Sequence, residues 1–372
     1  MYFRKTYKFK AKLSKTTEQN AVRWLGLCQQ LYNLALEQRI VAYKRCGISL
    51  STYSQSNELP DFKKAFPEFQ GVNSQTLQDT IERLGKAFQG FFSRLNKIGA
   101  KAGFPRFRSY HRYDSFTLKT SGWKLEGRHL KIRGLGTFKL FLSQPIVGKI
   151  KTLTVRRDGC GDWWVSFSCA GVPAKAYPHP ETEVVGIDVG LSHFCADTDG
   201  LHVANPKYYR KAQTELRRKQ RQVARRAKGS NRRKKAVKEL ARVHRKVARM
   251  RLDFLYKTAN HYISKYQTIC VEALQVKHMV KNRHLSKSIA DSGWSTFFEL
   301  LLYKAAEAGR ELIQVNPRNT SQNCSGCGAK VPKALATRVH RCPHCNLSLD
   351  RDINAARNIA ATGSGQLLQA LT

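Results

Sequence analysis

The chain opens in strict alternation. Tyr2-Phe3-Arg4-Lys5-Thr6-Tyr7-Lys8-Phe9-Lys10 reads as a basic β-strand. The period then changes: Val22, Leu25, Cys28, Tyr32 and Ala35 recur at helical spacing. They predict a helix to about Cys46, opened by a Thr-x-x-Gln capping box at Thr16–Gln19. A second stripe, Leu77, Ile81, Leu84, Phe88, Phe91 and Leu95, predicts a helix capped by Ser74, with a polar, Ser-rich loop before it. Both stripes read as helix–helix packing faces.

From Gly103 the period returns to two. Phe116–Lys119, His129–Ile132, Phe138–Phe141 and Trp163–Ser168 are short alternating runs separated by Gly-containing turns, the pattern of a small antiparallel barrel or sandwich. The opening strand completes that sheet, and the helical segment is inserted into it. Residues 173–180 read as a linker. Beyond them Val184-Val185-Gly186-Ile187-Asp188-Val189-Gly190 is a buried strand ending in a glycine turn, and a second strand runs through Asp197. Val237, Leu240, Val243, Val247, Met250 and Phe254 mark a helix, with Gly229-Ser230-Asn231 folding it into a hairpin. Thr268–Glu272 is another buried strand, and a tightly packed helix follows Asp352. Residues 362–372, from Thr-Gly-Ser-Gly onward, carry no clear signal and are expected to be disordered. There is no continuous apolar run near membrane-spanning length and no cationic-then-apolar secretory start, so membrane and export readings are weak.

Charge narrows the class. Against 26 Asp+Glu stand 66 Lys+Arg, a net +40, in a chain whose 41% hydrophobic content is that of a folded protein. Such a charge repels itself unless a polyanion neutralises it, and nucleic acid is the abundant candidate. Residues 207–251 hold 20 of the basic residues and only Glu215 and Glu239, a net +18 in 45 residues. A solvated face would mix signs. This one points to phosphate contact, with Arg217, Arg218, Lys219, Arg225, Arg226, Arg232, Arg233, Lys234 and Lys235 as candidate nucleic-acid-binding residues.

Of ten cysteines, Cys28, Cys46, Cys160, Cys169, Cys195 and Cys270 are scattered, and the rest form two tight pairs. That usage suits a reducing, cytoplasmic setting. Cys324-Ser-Gly-Cys327 and Cys342-Pro-His-Cys345, 14 residues apart, are the spacing of a four-thiolate structural Zn²⁺ site with no open coordination position. Gly328 and Asn346 after the knuckles suit a left-handed backbone. His340 and His344 flank the set, which needs neither. Three acids stand where acids are costly: Asp188 and Glu272 at the ends of apolar strands, and Asp352 at the start of the alanine-rich helix. Each alone reads equally as a cap or a loop-facing acid. Together they suggest carboxylates holding two divalent cations for phosphodiester cleavage, with Mg²⁺ suited to hard oxygen ligands. The Gly-Ile-Asp-Val-Gly run also resembles a phosphate loop of actin-like sugar kinases. No second glycine-rich loop accompanies it, and a small-molecule kinase has no use for +40.

The set Gly186–Gly190, Val271-Glu272, Asn316–Gly328 and Asp350–Asn358 resembles TnpB, the transposon-encoded RNA-guided nucleases related to type V CRISPR effectors. Arg4–Phe9, Asn73–Gln78 through Phe91-Phe92 and Gly103–Phe107 extend the resemblance over essentially the whole chain. It implies an α+β multidomain protein. A wedge β-barrel (residues 1–13 and 103–180) would carry an inserted helical recognition lobe (14–102). A RuvC-like, RNase H-fold nuclease domain (181–319 and 349–372) would carry a zinc ribbon (320–348). The family's catalytic triad falls on Asp188, Glu272 and Asp352, with Asp350 structural and Arg338 resembling a ribbon arginine that steers the strand. The implied activity is that of a Mg²⁺-dependent endodeoxyribonuclease, monomeric with one transposon-derived guide RNA and a double-stranded DNA target, in a bacterial cytoplasm at the nucleoid. An RNA-guided repressor, a strand-transferring transposase and a compact type V effector are the rivals. The intact triad disfavours the first, and no donor-end recognition module supports the second.

Overall fold

In the computed structural model, which describes residues 2–97, 99, 101–174, 177–334 and 336–371, the opening alternation becomes strand β1 (Tyr2–Leu13), with Tyr7, Phe9 and Ala11 buried. Two compact units follow one another, Met1–Pro173 and Ala174–Thr372.

In the first unit, helices α1 (Lys15–Cys46), α2 (Thr52–Asn57), α3 (Leu59–Ala65) and α4 (Ser74–Leu95) separate β1 from β2 (Ser115–Leu118), β3 (Trp123–Glu126), β4 (His129–Ile132), β5 (Gly136–Phe141), β6 (Lys149–Arg157) and β7 (Trp163–Pro173). One antiparallel sheet holds all seven strands in the order β2-β6-β7-β1-β5-β4-β3. The helices are therefore an insertion between the sheet's central strand and the rest. Among the described residues the outer strands β2 and β3 form no pairing with each other, so the hydrogen-bonded ladder ends at these two strands. Helix α4 packs against β2 at this margin. Gln75 Oε1 accepts from Lys119 N (2.9 Å), and Arg83 Nη1 donates to Ser115 O (2.8 Å), so backbone groups at this margin bond to helix side chains.

The caps and loops differ from expectation in detail. The chain leaves β1 at Leu13, and Ser14 caps α1 by accepting from Thr17 N (3.2 Å), displacing Thr16 from that role. Asn73 caps α4, and Ser74 is its first helical residue. The Ser-rich stretch is not a loop: Ser51 opens α2 with a capping box, and Leu59 and Phe69 nearby bury themselves in the core. Strands β3 and β6 had no clear sequence signal.

The second unit begins at Ala174, earlier than the expected boundary at 180. Tyr177 packs against this unit's core, Arg310 donates to Pro178 O, and Glu181 N donates to Lys265 O (3.0 Å). Its sheet contains β8 (Thr182–Val189), β9 (His193–Asp197), β10 (His202–Ala204), β11 (Tyr266–Glu272) and β12 (Glu311–Val315), ordered β10-β9-β8-β11-β12. The first three strands are antiparallel neighbours, whereas β8, β11 and β12 run parallel. Helices α5 (Tyr208–Ala224) and α6 (Asn231–Lys265) form the basic hairpin, with Ser230 capping α6. Helices α7 (Val276–Met279), α8 (Ser286–Ser292) and α9 (Trp294–Ala308) link β11 to β12. Strands β13 (Val339–Arg341) and β14 (Ser348–Asp350) pair antiparallel, and α10 (Arg351–Leu371) follows.

The parallel strands are covered on both faces, as their near-continuous apolar runs require. Val185, Ile187, Ile269 and Val271 pack with Leu255, Ala259 and Ile263 of α6 and Phe297 and Leu301 of α9. The alternate residues, Val184, Cys270 and Ile313, pack with Ile359 of α10. Helix α10 runs through Gly363 and Gly365, contrary to the expected disorder beyond residue 361. Gly363 lies directly on Cys270: a Cβ there would fall 2.3 Å from the Cys270 Sγ. No helix among the described residues is long and apolar enough to cross a membrane.

Candidate active site and metal centre

Register and close packing bring the acids together. Strands β8 and β11 are paired in parallel, with Cys270 opposite Gly186 and Val271 opposite Ile187. The next step of that register sets Glu272 beside Asp188. Because side chains alternate across a strand, both acids share a face with Gly186 and Cys270, the face that α10 covers. Gly186 lets α10 descend onto the sheet: a Cβ there would lie 2.0 Å from Ala356 O and 2.7 Å from Ala360 N. Moving two residues along β8 from Gly186 to Asp188 advances about 6.6 Å, and moving back four residues along α10 from Ala356 to Asp352 covers about 6 Å. The two steps keep Asp352 level with Asp188.

The cluster is electrostatically crowded. Burial, together with the Glu272 and Asp352 carboxylates, holds the Asp188 carboxyl well above the usual carboxylate range. Glu272 is 8% exposed, and burial raises it too. The Thr320 hydroxyl donates to Glu272 Oε1 and opposes that rise. Asp350 plays a structural part, since its Oδ1 accepts from Asp352 N (2.8 Å) and Ile353 N (3.2 Å) and so caps α10. Arg338 reaches the site, with Nη1 3.9 Å from Asp352 Oδ1 and Nη2 donating to Ser192 Oγ (3.0 Å).

Two asparagines of α10, which the sequence presented only as members of a motif, tie the site to the cysteine knuckles. Asn354, fully buried, donates to Asn323 O (2.8 Å) and accepts from Ser325 N (2.9 Å). Asn358 donates to Thr320 O and Asn323 O, both at 2.8 Å. An asparagine pair one turn apart in an alanine-rich buried stripe is costly without such partners, and that cost is the signal by which the sequence announces them. Thr320 has a fainter signal. Asn319, just before it, takes a left-handed φ of 65°, a turn that Asn tolerates.

The four knuckle cysteines bring their Sγ atoms within 4.8 Å of one another, and among the described residues this set could hold a metal ion. Gly328 (φ 75°) and Asn346 (φ 58°) take the left-handed backbone expected after each knuckle. His340 is buried beside the Lys333 ammonium, outside the cysteine set, while His344 is exposed.

The nine basic hairpin residues divide by use. Arg233 Nη1 donates to Val223 O (2.6 Å) and Arg226 Nη1 to Arg232 O (2.6 Å), so these two close the hairpin's own turn. Lys219 faces Glu239 at 4.0 Å. Arg217, Arg218, Arg225, Arg232, Lys234 and Lys235 are exposed.

The chain is similar to known proteins along most of its length. The family model OrfB_IS605, described as "Probable transposase", matches residues 166–283, and one described as "Cas12f1-like, TNB domain" matches residues 294–359. A Streptomyces pristinaespiralis protein called "Putative RNA-guided DNA endonuclease" is 33% identical over 95% of this chain and 89% of its own length. "Putative RNA-guided DNA endonuclease InsQ" of Escherichia coli K12 is 28% identical over 97% of this chain and 92% of that protein. In fold, the chain resembles the protein in a cryo-EM structure of a Cas12f1-sgRNA-target DNA complex: TM-score 0.58, 14% identity, covering 96% of this chain and 99% of that one. With a relative this similar along nearly its whole length, the chain belongs to the TnpB family.

Proposed function

We propose that this protein is an RNA-guided DNA endonuclease whose nuclease site is Asp188, Glu272 and Asp352. One observation carries the reading. Three carboxylates from β8, β11 and α10 converge at one sheet end, where burial, and then the Glu272 and Asp352 carboxylates, raise Asp188. Hard carboxylate oxygens suit divalent cations, Mg²⁺ foremost among them, and these three acids are the residues that would hold them. A bound cation pair would supply an activated water and stabilise the leaving oxygen.

The chain's own residues do the rest. Thr320 orients Glu272, Asp350 fixes the first turn of α10 and so Asp352, and Arg338 offers a guanidinium beside Asp352 for the phosphate of the strand being cut. Cys324, Cys327, Cys342 and Cys345 would hold a structural Zn²⁺, which would stabilise the ribbon that carries Arg338. The mixed sheet, three antiparallel strands followed by two parallel ones, is read as the RuvC-like, RNase H-type domain. The first unit is read as the wedge with its inserted recognition helices. The exposed basic residues of the hairpin contact nucleic-acid backbone, and base pairing between guide RNA and DNA supplies sequence specificity. One RNA per protein, drawn from a transposon end, and a bacterial cytoplasmic location complete the reading.

The test is to purify the protein from cells carrying its own locus, sequence the RNA that accompanies it, and offer duplex DNA matching that guide. Cleavage should require Mg²⁺ and disappear in Asp188→Ala, while the RNA stays bound. Absence of a discrete RNA, or cleavage surviving in the variant, overturns the proposal.

A further inference from the structure

Beside the carboxylates the second unit holds a cavity of about 340 Å³ that the nuclease roles proposed for its neighbours leave unused. Its walls include Ser192, Asn205, Lys207, Arg210, Ser288 and Asp291. Ser192, the same residue that accepts from Arg338, connects this cavity to the acid cluster: the arginine that sits 3.9 Å from Asp352 also touches the cavity wall.

The lining is arranged to leave positive charge free. Asp291 is its one acid, and it is already engaged by four bonds. Tyr209 N donates to both its oxygens (2.9 and 3.0 Å), Arg210 N donates at 3.3 Å, and Arg251 Nη2 donates at 2.9 Å. Its charge is thus neutralised by the start of α5 and by Arg251. That leaves Lys207 and Arg210 uncompensated. Arg210 Nη2 rests on Ser288 Oγ at 3.2 Å, and no acid among the described residues pairs with Lys207. Lys207 also has a left-handed backbone (φ 50°, ψ 46°), which a non-glycine residue adopts at a cost. The surroundings enforce it: Asn205 Oδ1 accepts from Lys207 N (3.3 Å), and Asn205 Nδ2 donates to Leu191 O and Ser292 Oγ, both at 3.2 Å. Two cations and two hydroxyls line this space, and such groups suit a phosphodiester.

We propose that this cavity seats a backbone phosphate of the DNA strand being cut, close to the scissile one, with Lys207 and Arg210 as its charged ligands. The proposal rests on the nuclease reading of the acid cluster. It makes these residues positioning groups that hold the strand in line with Asp188, Glu272 and Asp352 rather than reacting groups.

The test uses Lys207→Gln/Arg210→Gln, purified with its RNA, in single-turnover Mg²⁺-dependent cleavage. The DNA targets carry one neutral methylphosphonate at a time on either side of the cut. Wild-type protein should be slowed about tenfold by methylphosphonate at one particular phosphate besides the scissile one, the scale of a lost charge-assisted bond. The double variant should cut ordinary DNA about tenfold more slowly, and methylphosphonate at that same position should slow it no further. Both residues are exposed, so an unchanged melting temperature is expected and checks that the fold is intact. A methylphosphonate profile in the variant that parallels the wild-type one overturns the proposal. So does a loss of RNA affinity with that profile unchanged, which would assign the two charges to the RNA backbone. If wild-type protein cuts no target at all, it is the nuclease reading that fails.

Discussion

Gly186 and Ala356 meet backbone to backbone: a Cβ on Gly186 would stand 2.0 Å from the Ala356 carbonyl oxygen. Nothing flexible lies in the way to yield, so Gly186→Ala must push α10 off the sheet. Overpacking of this kind costs about 2–3 kcal/mol, seen as a lower urea midpoint, and Asp352 moves with the helix, so cleavage falls sharply as well. Since the obstacle is a carbonyl, adding Ala356→Gly should restore neither stability nor activity. Rescue by the double variant would show that side-chain volume sets the spacing.

The acid cluster should make metal-free protein sensitive to alkali. Asp188 has a folded pKa above its unfolded one, so its contribution to stability is complete below the ordinary carboxylate range and is lost as pH rises through the folded value. Melting in EDTA should therefore fall as pH rises above the ordinary carboxylate range, by about 2–4 °C per kcal/mol lost. Asp188→Asn should flatten that dependence and melt higher than wild type at pH 8 while being inactive. Adding Mg²⁺ at pH 8 should raise the wild-type melting temperature more than the variant's. An Asp188→Asn curve that follows the wild-type one would refute the crowding.

Thr320 is expected to matter for metal binding and little for the fold. Thr320→Val keeps the shape but removes the donor to Glu272. Loss of an outer partner of a metal ligand typically weakens binding about 10–100-fold. The Mg²⁺ concentration giving half-maximal cleavage should rise accordingly, with the rate at saturating Mg²⁺ largely recovered and Thr320→Ser close to wild type. An unchanged Mg²⁺ midpoint would remove Thr320 from the site.

The basic hairpin should separate into two classes. Arg217→Gln/Arg218→Gln ought to leave melting unchanged while reducing the slope of log affinity for RNA against log salt by roughly one unit per lost phosphate contact, about two in all. Arg233→Gln removes bonds to Val223 O and Arg226 O, and hydrogen exchange around residues 223–233 should speed up. Equal salt slopes for wild type and the Arg217/Arg218 pair would mean that face does not touch phosphate.

Much of the fold and site was legible in the sequence where local pattern and tertiary demand agree. Apolar strands ending in Asp188 and Glu272 need burial on both faces, and the knuckle residues Gly328 and Asn346 take the backbone their chemistry suggests. What escaped was decided by contacts distant in sequence. Gly363 and Gly365 look like helix breakers, yet Gly363 is where α10 touches Cys270, 93 positions earlier. Thr16 and Ser74 are plausible caps displaced by one or two residues because β1 ends at Leu13 and because Asn73 competes for the role. The division of the arginines between turn closure and solvent depends on hairpin geometry, which composition cannot show.

The order of the three acids along the chain has a consequence for synthesis. Asp188 and Glu272 emerge on strands that pair with each other, but the third acid rides on α10, which comes after every other element. That helix is seated through Ala356, Ile359 and Gly363, so the ribosome must release these residues before Asp352 is pressed into position. Until then β8 and β11 carry two of the acids, and the third has no seat. The three acids therefore share one site only once residues through Gly363 are in place, whatever follows them in the chain.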